Sequence, residues 1–291
     1  VFLAYALTAV AWTPTVPLTD AYALRGVVQY GLNYGPVRLW GSAAFIVSAL
    51  AGGWLADQIA ATHLIWIITA VAAIGALVSL GLQPLDGRKA KATVTHGSTA
   101  LLRDPAFLAI IVTSALIQGS HSALYIFGSI TWQLAGLGGL TIAALWALGV
   151  IVEIVVFALS PRFTLQPATL VVIGGIGAVA RWLITAQEPP VAVLAVVQLA
   201  HGVSFAMTQL GTIGLMVKHV PMPMVTRAQG YLAACSGIVA SLASIVSGLI
   251  YARYGECVYY AMAAMALLGA AIMWAAWKHL EAYPQSAGSG G

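Results

Sequence analysis

The 291-residue chain is 61% hydrophobic and only 7% charged, against roughly 25% charged in ordinary soluble domains, which excludes a water-soluble globule. The formal charge of +4 comes from basic residues scattered between apolar runs, so nothing resembles a nucleic-acid-binding patch. Cys235 and Cys257 have no paired spacing, which argues against a disulfide framework or a zinc site; no metal or cofactor is expected.

A hydrocarbon layer about 30 Å thick takes about 20 apolar residues of helix to cross. Breaking the apolar runs at charged, Pro and Gly clusters gives nine candidate spans: 1–19, 37–57, 63–83, 106–131, 140–160, 168–187, 191–217, 228–252 and 257–278. Helices are required because oil offers no partner to a bare backbone group. The predicted class is therefore an all-α polytopic membrane bundle.

In chain order, the first span has no basic region ahead of it and no cleavage site after it, so no signal peptide is expected. Without an initiating Met, the chain reads as N-terminally truncated. Tyr5, Thr8, Trp12, Thr15 and Thr19 recur at near-helical spacing, with Pro14 and Pro17 loosening the inner half. Trp12 is a candidate substrate wall; packing is the competing reading for it and for Trp132 and Trp146.

Asp20 and Arg38 flank the loop between the first two spans, where they are expected to act as gating or loop-fixing charges near the surface. The longest polar connection, 84–105, follows three spans and precedes six, the pattern of a linker between bundles. It divides the chain into 1–83, the second half of one six-helix bundle, and 106–280, a complete second bundle. Residues 281–291, ending SAGSGG, read as a flexible tail.

Placing the loop after the first span inside puts Arg25, Arg38, Arg88, Lys89, Lys91, Arg103, Arg162, Lys218, Arg227 and Lys278 on inner loops or helix ends, with only Arg253 outside. That imbalance follows the positive-inside rule and predicts a cytoplasmic C-terminus.

Gln118, His121, Tyr125 and Trp132 fall at i, i+3, i+7 and i+14 of one span, and Gln198, His201, Phe205, Thr208 and Thr212 make a similar stripe on another. Both stripes are expected to line a cavity. Glu153 sits among aliphatic residues in ALGVIVEIVVFALS, and Arg181 lies inside the next span. A charge there costs about 2.5–3.5 kcal/mol on insertion scales, so each should face protein or a wet interior. A Glu153 beside Arg181 would become ready to accept a proton once an anionic substrate claimed the arginine; a purely structural ion pair is the competing reading. For either histidine alone, a neutral imidazole bonded to a neighbouring helix is as plausible as a proton carrier.

PLTDAYALRG (17–26) followed by YGPVRLWGSAAF (34–45) resembles the fourth-to-fifth helix region of the 3-phenylpropionate permease family, a branch of the major facilitator superfamily related to lactose permease. IQGSHSALYIFGSITWQLAG (117–136), ALGVIVEIVVFALS (147–160), GGIGAVARWLI (174–184) and VVQLAHGVSF (196–205) continue the likeness in order. The resemblance implies twelve helices in two bundles, of which this chain holds nine, as a monomer in a bacterial inner membrane. It also implies proton-coupled uptake of a small aromatic acid.

In lactose permease a carboxylate, an arginine and a histidine on the eighth, ninth and tenth helices handle proton and substrate, and Glu153, Arg181 and His201 fall on the helices so numbered. On this reading Glu153 and His201 couple protons, and Arg181, His121, Gln118, Tyr125, Gln198 and Trp12 bind substrate. Asp20 and Arg38 gate. The competing substrate class is a neutral sugar or nucleoside. An enzyme is not expected, because no nucleophile–base set or metal-ligand spacing appears.

Overall fold

A computed structural model describes residues 2–83 and 101–282; most of the expected linker and tail lie outside these. The described residues contain no strand. In order the helices are α1 (Phe2–Trp12), α2 (Thr15–Tyr30), α3 (Tyr34–Gln58), α4 (Ala61–Ser79), α5 (Pro105–Gly119), α6 (Ser122–Leu134), α7 (Gly139–Leu159), α8 (Pro167–Thr185), α9 (Val191–Leu199), a π-helical segment (Gly202–Met207), α10 (Thr208–His219), α11 (Val225–Tyr254) and α12 (Val258–Ala282).

Three expected spans are interrupted rather than continuous. The chain turns at Thr13–Pro14 between α1 and α2, at Ser120–His121 between α5 and α6, and through the π segment between α9 and α10. With these joined, nine helical units remain among the described residues. Among the described residues six stretches are long and apolar enough to cross a membrane, the last of which, Met222–Glu281, contains both α11 and α12.

Local chemistry sets the ends. Asp104 caps α5 by accepting from Ala106 N at 2.9 Å, with Pro105 in the first turn. Pro167 likewise stands in the first turn of α8, there without a side-chain cap. Gly31 ends α2 with φ of 64°, a left-handed conformation open to glycine.

This last feature corrects one expectation. The first span does not stop at 19; α2 runs to Tyr30, and only Gly31–Asn33 separate it from α3. Pro14 and Pro17 fall where a helix start tolerates proline, so they bend the segment rather than end it. Asp20 and Arg25 therefore stand on a helix, not in a loop.

The second half packs around α8, which touches α10, α12 and the π segment. Glycines allow the approach: a Cβ on Gly175 would lie 2.9 Å from Ala270 Cβ, and one on Gly177 would lie 2.8 Å from Val203 Cγ1. Small residues at helix contacts are the usual solution in lipid, where packing replaces the hydrophobic drive. The lipid-exposed faces stay apolar, as Ile65, Leu140, Leu249 and Trp274 show.

The two halves meet on α2 against α11 and α3 against α7. At the end bearing Arg25, Arg162 and Arg227, Arg25 Nη2 donates to Thr226 Oγ1 at 2.7 Å, and Gln209 Nε2 to Tyr34 Oη at 3.4 Å. Gly35 approaches α7 so closely that a Cβ there would overlap Ser160 Oγ and the Phe157 carbonyl oxygen. Among the described residues, the helices are in close contact at this basic end.

Candidate functional site: a buried polar chain opening on an interhelical cavity

Between α3 of the first half and α6, α7, α8 and the α9–π segment of the second lies a cavity of about 890 Å³, within the range of small-molecule sites. Its wall is mostly apolar and aromatic, with Phe45, Ile142, Trp146 and Phe205, and its polar groups are few: Arg38, Tyr125, Glu153, Arg181, Gln198 and His201 among them.

Glu153, Arg181 and His201 are each less than 10% exposed. The direct Glu153–Arg181 pair expected from the sequence is not formed. His201 stands between them, with Nε2 at 3.6 Å from Glu153 Oε2 and Nδ1 at 3.0 Å from Arg181 Nη1. A guanidinium can only donate, so Nδ1 must accept; His201 is then neutral, with its Nε2–H turned to the carboxylate.

Arg181 is held on several sides. Its Nη2 donates to Gln198 Oε1 at 2.8 Å, Nε to the Val197 carbonyl at 3.1 Å and Nη1 to Ser204 Oγ at 3.4 Å. Its guanidinium also lies 4.7 Å from the Trp182 ring. From Ser204 the chain continues to His121 Nε2 at 3.2 Å, and His121 Nδ1 lies 3.1 Å from the Ile117 carbonyl. Because that carbonyl needs a donor, Nδ1 of His121 carries a hydrogen, while the single Ser204 hydroxyl hydrogen is shared between His121 Nε2 and the His201 carbonyl, 3.3 Å from Ser204 Oγ.

At the opposite end, Ser42 of α3 donates to Glu153 Oε1 at 2.6 Å. A continuous polar chain thus runs from α3 through α7, the π segment and α8 to α5.

Local folding places these groups. Gly149, one turn before Glu153, leaves room for His201, whose Cβ would lie 3.3 Å from an added Cβ. The turn at Ser120–His121 sends His121 inward, and Trp182 Nε1 pins it by donating to Ser120 Oγ at 2.9 Å. The π segment changes the phase of the helix after His201. This is why the predicted stripe splits: Gln198, His201 and Phe205 face the cavity, whereas Thr208 faces Gly174 of α8. A 3.6-residue period cannot be carried across a π bulge.

The other candidates divide as well. Tyr125 lines the cavity and packs on Trp146, with ring centroids 5.9 Å apart. His121 is wholly buried behind the wall and reaches the site through Ser204. Gln118 donates to the Phe205 carbonyl at 3.5 Å, and its Oε1 has no partner among the described residues. Trp132 is buried against Trp146 rather than in the cavity. Trp12 is 59% exposed on α1 and is not one of the lining residues.

Arg38 was expected near the surface, but it lies one turn inside α3 and lines the cavity, 5.6 Å from the Phe157 ring. Asp20, half-buried on α2, is near enough to interact with it electrostatically. Ser42 and Ser204 were not anticipated. Ser42 follows Arg38 by four residues and Ser204 follows His201 by three, so helical neighbourhood was the available signal for both.

Comparison with known proteins places this arrangement. A model described as "MFS_1 like family" matches residues 1–262. The chain is 31% identical over 263 residues to the "Probable 3-phenylpropionic acid transporter" of Escherichia coli (strain K12), covering 88% of this chain and 69% of that protein. It is 28% identical over 244 residues to the "Maltose permease" of Geobacillus stearothermophilus, covering 82% and 61%. The chain spans about two thirds or less of these relatives. It belongs to the MFS_1-like family, in the 3-phenylpropionate permease branch of the major facilitator superfamily, whose members are multi-pass membrane transporters and not enzymes.

Proposed function

We propose that the full-length protein is a proton-coupled symporter that imports a small aromatic carboxylate by alternating access. The observation that carries this reading is the chain Glu153–His201–Arg181 at the cavity wall. An anionic substrate competes for Arg181. When the guanidinium turns to the substrate, His201 Nδ1 loses its donor and its lone pair becomes free for a proton, with Glu153 beside it to stabilise the imidazolium. Substrate binding and proton binding then favour each other, and linkage makes that coupling reciprocal.

Tyr125 and Trp146 offer faces on which an aromatic ring stacks, and a guanidinium fork suits a carboxylate. Gln198 and Ser204 orient Arg181, His121 and Gln118 back the wall, and Arg38 with Asp20 serves as the gate where α3 meets α7. Trp12 has no part in this site. The Escherichia coli relative's name supports the substrate class.

The maltose permease relative supports a second reading, a neutral sugar held by the same polar groups. Uptake into proteoliposomes separates the two. The full-length protein is expected to accumulate 3-phenylpropionate, and not maltose, when a pH gradient is imposed. Glu153→Gln is expected to abolish gradient-driven accumulation while sparing exchange of labelled for unlabelled substrate. Accumulation unaffected by the gradient, or by Glu153→Gln, refutes proton coupling; maltose competing better than 3-phenylpropionate refutes the substrate class.

A further inference from the structure

We infer that Ser42 is a positioning residue that couples the charge on Glu153 to the closure of the two halves, an inference that rests on the transport reading above. Ser42 is buried on α3, in the first half, and the carboxylate it serves is on α7, in the second. A serine in a helix commonly turns its hydroxyl back to the carbonyl four residues earlier. This hydroxyl instead reaches across the seam to Glu153 Oε1 at 2.6 Å.

The seam itself gives the contact its leverage. Gly35 abuts Phe157 and Ser160, and Ser42, seven residues further along the same face of α3, meets Glu153. Residue numbers rise on α3 as they fall on α7, so the two helices run antiparallel and the Ser42 contact lies two turns deeper than the closed basic end. Rocking the halves apart along this seam must break it.

Breaking it leaves a buried carboxylate short of one donor, which costs more when the carboxylate is charged than when it is protonated, because charge-assisted hydrogen bonds are about twice as strong as neutral ones. The contact therefore holds the seam more firmly while the Glu153 carboxylate is charged than when that charge is neutralised. The groups facing Glu153 do not replace the serine. His201 Nε2 lies 3.6 Å from Oε2, and Arg38 of α3, Arg181 of α8 and Tyr125 of α6 border the same cavity; among the described residues only Ser42 hydrogen-bonds Oε1.

The test uses the full-length protein in proteoliposomes, measuring uptake of 3-phenylpropionate against pH. Ser42→Ala is expected to move the midpoint of the pH profile to higher pH by about one unit, the size expected for losing one hydrogen bond to a charged group. Ser42→Thr, which keeps the hydroxyl, is expected to restore it. An unchanged midpoint in Ser42→Ala, or a Thr variant displaced as far as the Ala variant, overturns the inference while leaving the transport reading intact. Glu153→Gln separates the two levels: if it still accumulates substrate against a pH gradient, both fall together.

Discussion

Replacing Gly35 by alanine adds one methyl group at the tightest point between the halves. The Ser160 hydroxyl, which donates to the Phe157 carbonyl at 2.7 Å, can rotate away, but the Phe157 carbonyl oxygen belongs to the α7 backbone and cannot. Ordinary contact therefore requires α3 and α7 to part by about 1 Å. Overpacking of this kind costs about 1–3 kcal/mol. Most of that strain disappears in any state where the basic end is open, so the equilibrium between closed and open basic ends should shift by roughly 5- to 150-fold.

Labelling can read the shift. In full-length protein with its native cysteines, Cys235 and Cys257 among them, replaced by serine, a cysteine introduced at Ala147, on the cavity wall, is alkylated by a membrane-impermeant maleimide added from one side or the other. The parent protein is expected to react faster from the side opposite the basic loops, and the Gly35→Ala variant faster from the basic side. Substrate accumulation should fall while exchange persists. Unchanged sidedness in Gly35→Ala, with normal uptake, would refute the claim that this contact is the closure.

Two further outcomes follow from single side chains. Arg181→Lys keeps the charge but cannot serve Val197, Gln198, His201 and Ser204 from one fixed fork; initial uptake rate should fall about 10- to 100-fold, a larger effect than the modest loss of thermal stability in detergent that the unserved buried partners bring. Gly174→Ala should do the reverse. Its Cβ would overlap Thr208 Oγ1 and lie 3.0 Å from Thr208 N, so unfolding in detergent should move down by roughly 2–10 °C, from a cost of about 1–3 kcal/mol, while substrate selectivity stays as it was.

Much of this organisation was written in the chain as solvation. A 20-residue apolar run has few alternatives to a helix, so the nine units could be counted, and the ends they share could be sorted by where arginine and lysine fall. Glu153 and Arg181 announced themselves because ionisable groups in oil need one another or water. What composition did not carry is phase. His201 lies between the carboxylate and the guanidinium because a π segment follows it and Gly149 yields space in front of it, and neither a π bulge nor a cross-helix clearance leaves a periodic trace. The same limit displaced Thr208 from the cavity and brought Ser204 into the chain.

Arg38 is a different case. Asp20 and Arg25 look like loop residues, yet α2 carries both toward the basic end because Pro14 and Pro17 stand where a helix start tolerates proline, and that helix leaves only Gly31–Asn33 as a connection. With the loop so short, α3 begins at Tyr34, and Arg38 lies one turn inside it, facing Phe157 and the cavity instead of the surface. The consequence reaches the site. Gly35, Arg38 and Ser42 fall on a single face of α3 against α7, so the tight glycine contact, the guanidinium and the hydroxyl that meets Glu153 share one seam.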